Sequence, residues 1–287
     1  GLVMLVLSLS GALNWLAVKI PSCVVRGIQF GLGLSLASLA LTKYVPSMGS
    51  DGYVLALIGF AIMVVLLGNR RWPPGIFVIG LGLLYAIFFK VDFNSLSSGI
   101  GLRLPQFSLP GARDILTGFI LLVLPQLPLS ISNSVIATNK TVHDLFPERK
   151  ISVKKIGMTY ALINLVVPFF KGIPVCHGCG GLAGHYALGG RTGGSVIIYG
   201  SVLAVIGLMF SQAFHQVIEF FPQPILGVVL FFEALTLMLF IRDQAQSKRD
   251  TAIALLVALA CLTLPQGYVT GLIIGTALYY SPYFKGL

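Results

Sequence analysis

The sequence predicts an all-α membrane protein that crosses the bilayer many times, and two observations lead to this prediction. Of its 287 residues, 56% are hydrophobic and only 10% are charged, whereas a soluble domain is about 25% charged. Long apolar runs also alternate with short polar joints. This pattern is typical of transmembrane helices, because barrel strands would instead alternate in polarity from one residue to the next.

The apolar runs can be placed in order along the chain, and prolines mark several of their starts. Proline fits the first turn of a helix but not its interior. The predicted spans are 2–18, 24–41, 53–67, 74–89, 115–137, 156–170, 195–214, 224–241, 251–264 and 267–280. Residues 91–113 contain no run of span length and form a predicted connector, parts of which either pair as short strands or lie at the surface.

The stretch from Lys171 to Gly194 lies between two predicted spans but is too short and too rich in glycine to be an ordinary one. We expect a half-helix over 174–188 that starts at Pro174, within the membrane. Its glycines leave backbone N–H groups unshielded, and the positive end of the helix dipole lies at the same place. The sequence therefore predicts a site for a small anion, with close helix packing through small residues as the alternative.

An internal echo suggests that the chain contains two related halves. Residues 20–27 resemble residues 221–227, and residues 73–75 resemble residues 265–267, since each pair opens a span after a proline. Counting the spans puts equivalent positions on opposite sides of the membrane, as in an inverted repeat. The first half lacks three segments that the second half has, and the chain does not begin with Met. We therefore expect eleven of fourteen segments, with the true N-terminus missing.

Basic residues predict which side of the membrane each loop occupies. The strongest clusters, in 70–71, 140–155 and 242–249, fall on one side when the spans are counted. Cytoplasmic loops carry an excess of Lys and Arg, so we expect the protein in the cell membrane with these loops on the cytoplasmic side. The net charge of +10 then reflects topology rather than binding to nucleic acid.

Three motifs carry a resemblance to a known family. They are Leu-Pro-Gln-Leu-Pro-Leu-Ser-Ile-Ser-Asn-Ser at 124–134, Pro-Val-Cys-His-Gly-Cys-Gly-Gly-Leu-Ala-Gly at 174–184 and Gly-Arg-Thr-Gly at 190–193. Together they resemble the molybdate transporter family, a distant branch of the sulfate permease (SulP) superfamily. The resemblance covers nearly all of the chain. One departure is His185-Tyr-Ala187, where the family carries Gln-Tyr-Arg.

The resemblance implies a seven-plus-seven transmembrane inverted repeat with a core domain that holds the substrate and a gate domain. By this analogy residues 1–19 end the first core and residues 20–90 form the first half of the gate. After the connector 91–113, residues 114–219 form the second core with the half-helix, and residues 220–287 complete the gate. The first repeat's own half-helix is absent from this sequence.

Seven residues are the predicted substrate ligands, and they fall in two groups. Backbone N–H groups at His177, Gly178, Cys179 and Gly180 form the first group, with the His177 side chain as an extra donor. The second group is Gln126, Ser130 and Asn133, which are spaced to share one helical face. Uncharged polar side chains at membrane depth either line a cavity or pair across helices, and the sequence leaves both alternatives open for this group.

Two charged residues and a cysteine pair invite further hypotheses. Glu233 lies in the middle of a predicted gate span and either carries a coupling proton or pairs with another polar group. Arg191 is expected to cap the far end of the half-helix rather than to bind substrate. Cys176-x-x-Cys179 lacks the second ligand pair of a zinc site. We therefore expect no metal and no other cofactor.

The sequence favours a secondary transporter of molybdate that works by alternating access, with the core moving against the gate like an elevator. A sulfate or general oxyanion transporter of the same fold is the first alternative. An anion channel or a non-transporting membrane scaffold is the second. No phosphate-binding loop is present, and nothing supports an enzyme. The expected partners are molybdate, with sulfate as a competitor, and the lipid bilayer, and the sequence leaves a homodimer open.

Overall fold

A computed structural model describes residues 1–69, 71–91 and 99–282 of the chain. Within these ranges the protein is helical and has no β-strand, which confirms the all-α prediction. Arg70, residues 92–98 of the connector and residues 283–287 with Lys285 lie outside the described residues.

The helices follow the predicted spans closely. The α-helices are Leu2–Leu9, Ala12–Lys19, Ser22–Leu39, Gly49–Leu66, Pro74–Phe89, Ala112–Gly118, Leu124–Leu129, Thr138–Leu145, Val153–Val166, Cys179–Ala187, Gly193–Met209, Phe214–Phe220, Gln223–Leu239, Lys248–Thr263 and Gly267–Tyr280. Wider π-helical turns occupy Ala40–Tyr44, Phe119–Val123 and Ser130–Ala137, and tighter 3₁₀ turns occupy Val45–Met48, Val167–Phe170 and Phe240–Gln244.

Several of these helices have the length and the apolar composition to cross a membrane. In the described part of the chain, three helical runs qualify, namely Ser22–Leu66, Val153–Phe170 and Gln223–Gln244, and a bent pair near the N-terminus makes a fourth if it counts as one span. Pro74–Phe89 and Gly193–Met209 are apolar but shorter. These helices fit a polytopic membrane protein, while the number of eleven segments stays a prediction.

The first predicted span, 2–18, is not one straight helix. The helices Leu2–Leu9 and Ala12–Lys19 meet at an angle of 78°. Gly11, between them, has φ of 79°, a left-handed conformation that glycine adopts without the steric cost of a side chain. The predicted span 2–18 is therefore a bent pair of helices, and hydropathy alone does not register such a glycine turn.

The next two predicted spans, 24–41 and 53–67, form one continuous helical run that reverses direction at Gly49. Gly49 has φ of 60°. A Cβ atom on Gly52 would lie only 3.0 Å from the carbonyl oxygen of Val45, although the two residues would lie well apart along a straight helix. The chain therefore folds back here, and both predicted spans are recovered.

The described part of the connector caps a helix instead of forming strands. The N–H groups of Gly101 and Arg103 donate to the carbonyl oxygens of Met209 and Leu208, at 2.9 and 2.8 Å. Those carbonyls belong to the last turn of Gly193–Met209, which has no partners for them in its own ladder. The strand alternative is wrong for residues 99–113, since unsatisfied helix-end carbonyls are better partners in an apolar setting.

The chain divides into two compact units. Unit 1 comprises Gly1–Ser35, Gln106–Ala183 and Leu235–Leu287, and unit 2 comprises Leu36–Pro105 and Gly184–Ala234. Three of the four boundaries fall inside helices, and the one between Pro105 and Gln106 falls in the connector. The predicted core and gate are defined by relative movement rather than by packing, and their boundaries stay a prediction.

Unit 1 has two apolar centres. One centre packs Val24 and Ile28 against Val257 and Cys261. The other packs Leu13 against Val135 and Tyr160. Together they fix the helices that carry the polar residues discussed below.

A charged cluster lies within unit 1 around Arg26, which is only 2% exposed. Its Nε and Nη2 atoms donate to Asp243 Oδ2 at 2.8 and 2.6 Å. Its Nη1 atom lies 2.7 Å from Asp144 Oδ2 and 2.9 Å from Gln29 Oε1. The guanidinium also lies 5.2 Å from the centre of the Phe240 ring. We call Arg26, Gln29, Asp144 and Asp243 the arginine cluster.

The arginine cluster extends to neighbouring polar groups. Gln29 Nε2 donates to the Thr141 hydroxyl at 2.8 Å. Lys140 Nζ lies 3.7 Å from Asp243 Oδ2 and donates to Ser22 Oγ. Residues 22–29, 140–144 and Asp243, which are distant in sequence, thus meet at one place. The side of the membrane that each basic loop occupies stays a prediction.

Unit 2 is packed through glycines. A Cβ on Gly59 would lie 3.1 Å from Ile225 Cδ1, and one on Gly82 would lie 2.5 Å from the Phe221 ring. Phe60 lies 5.4 Å from Phe232 between ring centres. Small residues let membrane helices approach closely, which explains why these positions carry no side chain.

Candidate functional site

The half-helix exists, but it begins later than predicted. It runs over Cys179–Ala187, and its first ladder bond joins the Leu182 N–H to the Gly178 carbonyl at 3.3 Å. Residues 172–178, which we call the lead-in segment, are not helical. The predicted start at Pro174 was therefore wrong by about one and a half helical turns.

The lead-in segment is held out of the helix by a side chain of the preceding span. Asn164 Nδ2 donates to the Val175 carbonyl at 2.8 Å, and the Val175 N–H donates to Asn164 Oδ1 at 3.1 Å. An amide that both donates to and accepts from one residue imitates the pairing between adjacent strands. In a helix starting at Pro174 the Val175 carbonyl would accept from the Cys179 N–H, and the pairing with Asn164 occupies this carbonyl instead.

The shifted start changes which donors lie in the first turn. A helix leaves its first four N–H groups outside its own ladder, and here they belong to Gly178, Cys179, Gly180 and Gly181. Three of the residues predicted as ligands, Gly178, Cys179 and Gly180, are among these four, and their binding of an anion stays a prediction. Cys179 is fully buried whereas Cys176, three residues earlier, is exposed. The turn therefore leads from the surface of unit 1 into its interior.

His177 lies one residue before the helix and is tied by two hydroxyl groups. Its Nε2 atom lies 2.8 Å from Thr159 Oγ1, and its carbonyl accepts from the Thr138 hydroxyl at 2.7 Å. The ring stands edge-on to Tyr160, 6.2 Å away between centres. The structure thus gives His177 a defined orientation beside the first turn, while its role as a ligand stays a prediction.

The three polar residues of the span 115–137 differ in their surroundings. Asn133 reaches the half-helix, where Cys179 Sγ donates to its Oδ1 atom at 2.9 Å. Ser130 is 2% exposed and lies 2.8 Å from the Tyr160 hydroxyl. Gln126 is exposed on the preceding helix. Ser130–Ala137 is π-helical, which changes the angular spacing between Ser130 and Asn133, and such turns are frequent at functional sites. The role of the three residues as substrate ligands stays a prediction.

In unit 2, the far end of the half-helix closes with a glycine and an arginine. Gly189 has φ of 103°, and the Gly190 N–H donates to the His185 carbonyl at 2.7 Å. The Arg191 guanidinium lies 3.4 Å from the centre of the Tyr186 ring. This agrees with a capping role, because a cation near a helix C-terminus stabilises the dipole.

Glu233 also lies against the half-helix within unit 2. A Cβ on Gly184 would lie 3.0 Å from Glu233 Oε2, so the half-buried carboxylate occupies the space that this glycine leaves. Among the described residues, Glu233 forms none of the ion pairs found. Its role in coupling stays a prediction.

The cysteines show no metal-binding arrangement. Cys176 is exposed, and Cys23, Cys179 and Cys261 are buried. Within the described ranges, no group of three or more His, Cys, Asp or Glu side chains could hold a metal ion.

Sequence reasoning missed the residues that orient the site. Thr138, Thr159 and Asn164 were not singled out from the sequence. A signal was available, because Thr159 and Asn164 are the polar residues of an otherwise apolar span. Polar side chains at membrane depth require partners, and the nearest chain in need of partners is the non-helical segment that follows.

Comparison with known proteins finds one matching family model and several relatives. Residues 118–237, which include Ser130, Asn133 and the half-helix, match the family model described as "Molybdate transporter of MFS superfamily". The chain is 32% identical to Molybdate transporter 1 of Arabidopsis thaliana, over 97% of this chain and 69% of that protein. It is 33% identical to Molybdate transporter 2 of the same plant, over 91% and 65%.

A third relative is an algal protein. Molybdate transporter 1 of Chlamydomonas reinhardtii is 33% identical over 71% of this chain and 40% of its own length. The chain thus spans about two thirds of the length of the two Arabidopsis relatives and less of the algal one. Similarity over nearly the whole chain, together with the family motif at the half-helix, confirms the predicted resemblance: the protein belongs to the molybdate transporter family, whose members are membrane transporters and not enzymes.

Proposed function

We propose that the protein is a secondary transporter of molybdate and that it binds the oxyanion at the first turn of the half-helix. The observation that carries this proposal is the combination of a glycine-rich first turn with neutral side chains around it. Gly178, Cys179, Gly180 and Gly181 supply backbone donors, and the described contacts come from Asn133, Thr138 and Thr159. The names of the relatives supply the cargo.

Helix-end donors suit this cargo for a physical reason. A tetrahedral dianion has oxygen atoms that each accept hydrogen bonds, and N–H groups at a helix N-terminus converge on one point with the dipole's positive end. A buried arginine would bind more strongly, but it would also have to be neutralised each time the cargo left. Neutral donors therefore favour binding that can be reversed.

We also propose the seven-plus-seven inverted-repeat fold of the sulfate permease (SulP) superfamily. The order of helices supports it, since Ser22–Leu39, Gly49–Leu66 and Pro74–Phe89 are matched, about two hundred residues later, by Gln223–Leu239, Lys248–Thr263 and Gly267–Tyr280. Each series opens just after a proline, at Pro21 and Pro222. A discontinuous helix at the site is a further feature of inverted-repeat transporters.

On this basis the core, residues 1–19 and 114–219, would carry the anion past the gate, residues 20–90 and 220–287. The movement would expose the half-helix to each side of the membrane in turn, in the manner of an elevator. The basic loops would face the cytoplasm of a cell membrane. Formation of a homodimer is compatible with this mechanism and is not needed for it.

Glu233 is the proposed coupling residue, because its carboxylate lies against Gly184 of the half-helix. A proton taken up there would change the charge next to the moving element. We expect Glu233→Gln to retain molybdate binding while losing the acceleration of uptake by a pH gradient in proteoliposomes. If the pH gradient still drives uptake in this variant, another group carries the proton.

Two alternatives remain distinguishable. A sulfate or general oxyanion transporter would use the same donors, because tetrahedral oxyanions of similar size differ little in shape. An anion channel or a non-transporting scaffold would show current without saturation, or no flux, instead of counterflow. Neither alternative requires a change in the structure described above.

The deciding experiment is equilibrium binding of molybdate to the purified full-length protein, with sulfate as competitor. We expect saturable binding that sulfate displaces only in large excess. Gly180→Val should abolish binding because it places a branched side chain in the first turn, and His177→Ala should weaken it. Gly200→Val is the matched control, since a Cβ on Gly200 meets no atom within 4 Å.

Each result has a defined meaning. Equal competition by sulfate would favour the general oxyanion transporter. Binding that persists in both Gly180→Val and His177→Ala would place the site elsewhere in the molecule. Loss of binding in Gly200→Val as well would show that any added bulk in these helices disturbs the protein, and the argument from Gly180 would then carry no weight.

A further inference from the structure

We propose that Asn164 is a positioning residue for the anion site, which sets the aim of the first-turn donors by clamping Val175. This inference rests on the proposed function and concerns a residue that does not itself contact the cargo. It is carried by the hydrogen-bond geometry of one amide and by the exposure of the segment that this amide holds.

The amide of Asn164 is fixed by three contacts. Its Nδ2 atom donates to the Val175 carbonyl at 2.8 Å and to the Tyr160 carbonyl, one turn back in its own helix, at 3.0 Å. Its Oδ1 atom accepts from the Val175 N–H at 3.1 Å. The bond to Tyr160 orients the amide before it meets Val175, so the clamp is prepared by the rigid helix Val153–Val166.

Apolar burial does not hold the lead-in segment in place. Ile173 is 84% exposed and Val175 is 46% exposed. Neither side chain therefore gains enough from burial to fix the backbone. The two hydrogen bonds to Asn164 are what remains to define the path of the chain at Val175.

The position of Val175 affects the first turn because the chain between them is short and is anchored at both Val175 and His177. Two residues, Cys176 and His177, separate Val175 from Gly178, which opens the half-helix. Within that piece His177 is held by Thr138 and Thr159. Asn164 and Thr159 lie on the same helix, so a single rigid element sets both anchors. Releasing the Asn164 anchor allows Cys176 and the donors after it to change direction.

The variants follow from the chemistry of the clamp. Asn164→Leu keeps the size of the side chain and removes both bonds to Val175. Asn164→Asp keeps an acceptor for the Val175 N–H but places a carboxylate oxygen against its carbonyl. Two hydrogen bonds of ordinary strength imply that Asn164→Leu lowers molybdate affinity about tenfold or more, with Asn164→Asp intermediate. Asn14→Leu makes the same change on an exposed surface and should leave affinity unchanged.

Cys176 provides a readout that general destabilisation does not imitate. It is exposed, whereas the other three cysteines are buried, and it directly follows Val175. In the full-length protein we would measure the rate at which a maleimide labels Cys176, with and without molybdate, beside equilibrium binding and the thermal midpoint. Asn164→Leu should label faster without molybdate and should lose protection by molybdate, at a thermal midpoint within a few degrees of the parent protein.

The outcomes separate this inference from the proposed function. If the parent protein shows neither binding nor protection by molybdate, the proposed function fails, whatever the variants do. If the parent is protected and both Asn164 variants bind with parental affinity and are equally protected, the positioning role is overturned. If Asn164→Leu does not fold, the milder Asn164→Asp decides the question by the same two measurements.

Discussion

The arginine cluster and the first turn of the half-helix differ in the charge of the groups that form them. In the cluster, a side chain that is 2% exposed holds Asp144 and Asp243 at 2.7 and 2.6 Å. At the half-helix, the described contacts come from Asn133, Thr138 and Thr159, and the donors are backbone N–H groups. Both regions lie in unit 1, but the contacts in the first are between charged side chains and those in the second are between neutral groups.

The two regions differ in whether the negative charge stays in the protein: it is permanent in the cluster, whereas the proposed cargo binds and leaves. Carboxylates that never leave the protein need a permanent counter-charge, because burying one without a partner costs several kcal/mol. A cargo that must leave is better met by dipoles, which cost nothing extra when they return to an empty site. The comparison predicts that substitutions in the cluster change stability but not affinity, and that substitutions at the turn do the reverse.

The largest effect is expected for Arg26→Met, which removes the guanidinium that pairs with Asp144 and Asp243 and leaves Lys140 Nζ, 3.7 Å from Asp243 Oδ2, as a neighbouring cation. Breaking a buried pair costs about 3–5 kcal/mol. We expect the lower end of that range because the two carboxylates are 29% and 41% exposed and can recruit water. The thermal midpoint in detergent measures the loss. Arg113→Met, at an exposed position, is the control.

For the comparison to hold, the fraction of Arg26→Met that stays folded must bind molybdate with parental affinity. A large loss of affinity at a temperature well below the midpoint would mean that the cluster is part of the binding machinery. The separation between the two regions would then be wrong.

A smaller loss of stability is expected for Asp243→Asn. The amide oxygen can still accept from Arg26, but the two charge-assisted bonds lose their ionic part, which we put at about 1–2 kcal/mol. Asp144→Asn should cost less, since Asp144 makes one such contact and Asp243 makes two. Thermal midpoints of the two variants, measured side by side, test this order, and the reverse order would contradict the assigned geometry.

At the half-helix, Thr159→Val tests the expectation that substitutions near the first turn change molybdate affinity but not stability. It removes the hydroxyl that lies 2.8 Å from His177 Nε2, so the ring loses its orientation. One hydrogen bond of about 1 kcal/mol corresponds to a roughly fivefold loss of molybdate affinity, at an unchanged thermal midpoint. Thr263→Val removes a hydroxyl that bonds only to its own helix, and it should change neither quantity.

The smallest effect is expected for Cys179→Ala. The thiol donates to Asn133 Oδ1, but S–H is a weak donor, so affinity should change by about twofold or less. Isothermal titration with molybdate measures this. A tenfold change would indicate that Asn133, once released from the thiol, binds the anion differently, and the donor set would then include its side chain.

Most helices were predictable because apolar length and proline position determine them locally. The last helix, predicted as 267–280, is found over Gly267–Tyr280. The span predicted as 224–241 is found as Gln223–Leu239 with a 3₁₀ turn after it. In these segments the sequence pattern and the structure agree because a single physical term, burial of apolar residues in the membrane, dominates.

The errors occur where tertiary contacts override local signals. Pro174 is a good first residue for a helix, but the clamp by Asn164 keeps Val175 out of it. Asn133 was expected on the same face as Ser130, but the π-helical turn over Ser130–Ala137 changes the angular spacing between them. Neither the partner of a polar side chain nor the pitch of a helix can be read from spacing alone. The residues that orient the site were therefore the least predictable part of it.

The glycines of the first turn have a consequence for how cargo preference can evolve. Every residue except proline supplies the same backbone N–H group, so a substitution at Gly178, Gly180 or Gly181 acts through the side chain that it adds, either by its bulk or by its own hydrogen-bonding groups. Residues that hold this backbone, such as Asn164, Thr159 and Thr138, can shift the donors without adding a side chain at the turn. We therefore expect a change of preferred anion to be reached more easily through these supporting residues than through the glycines.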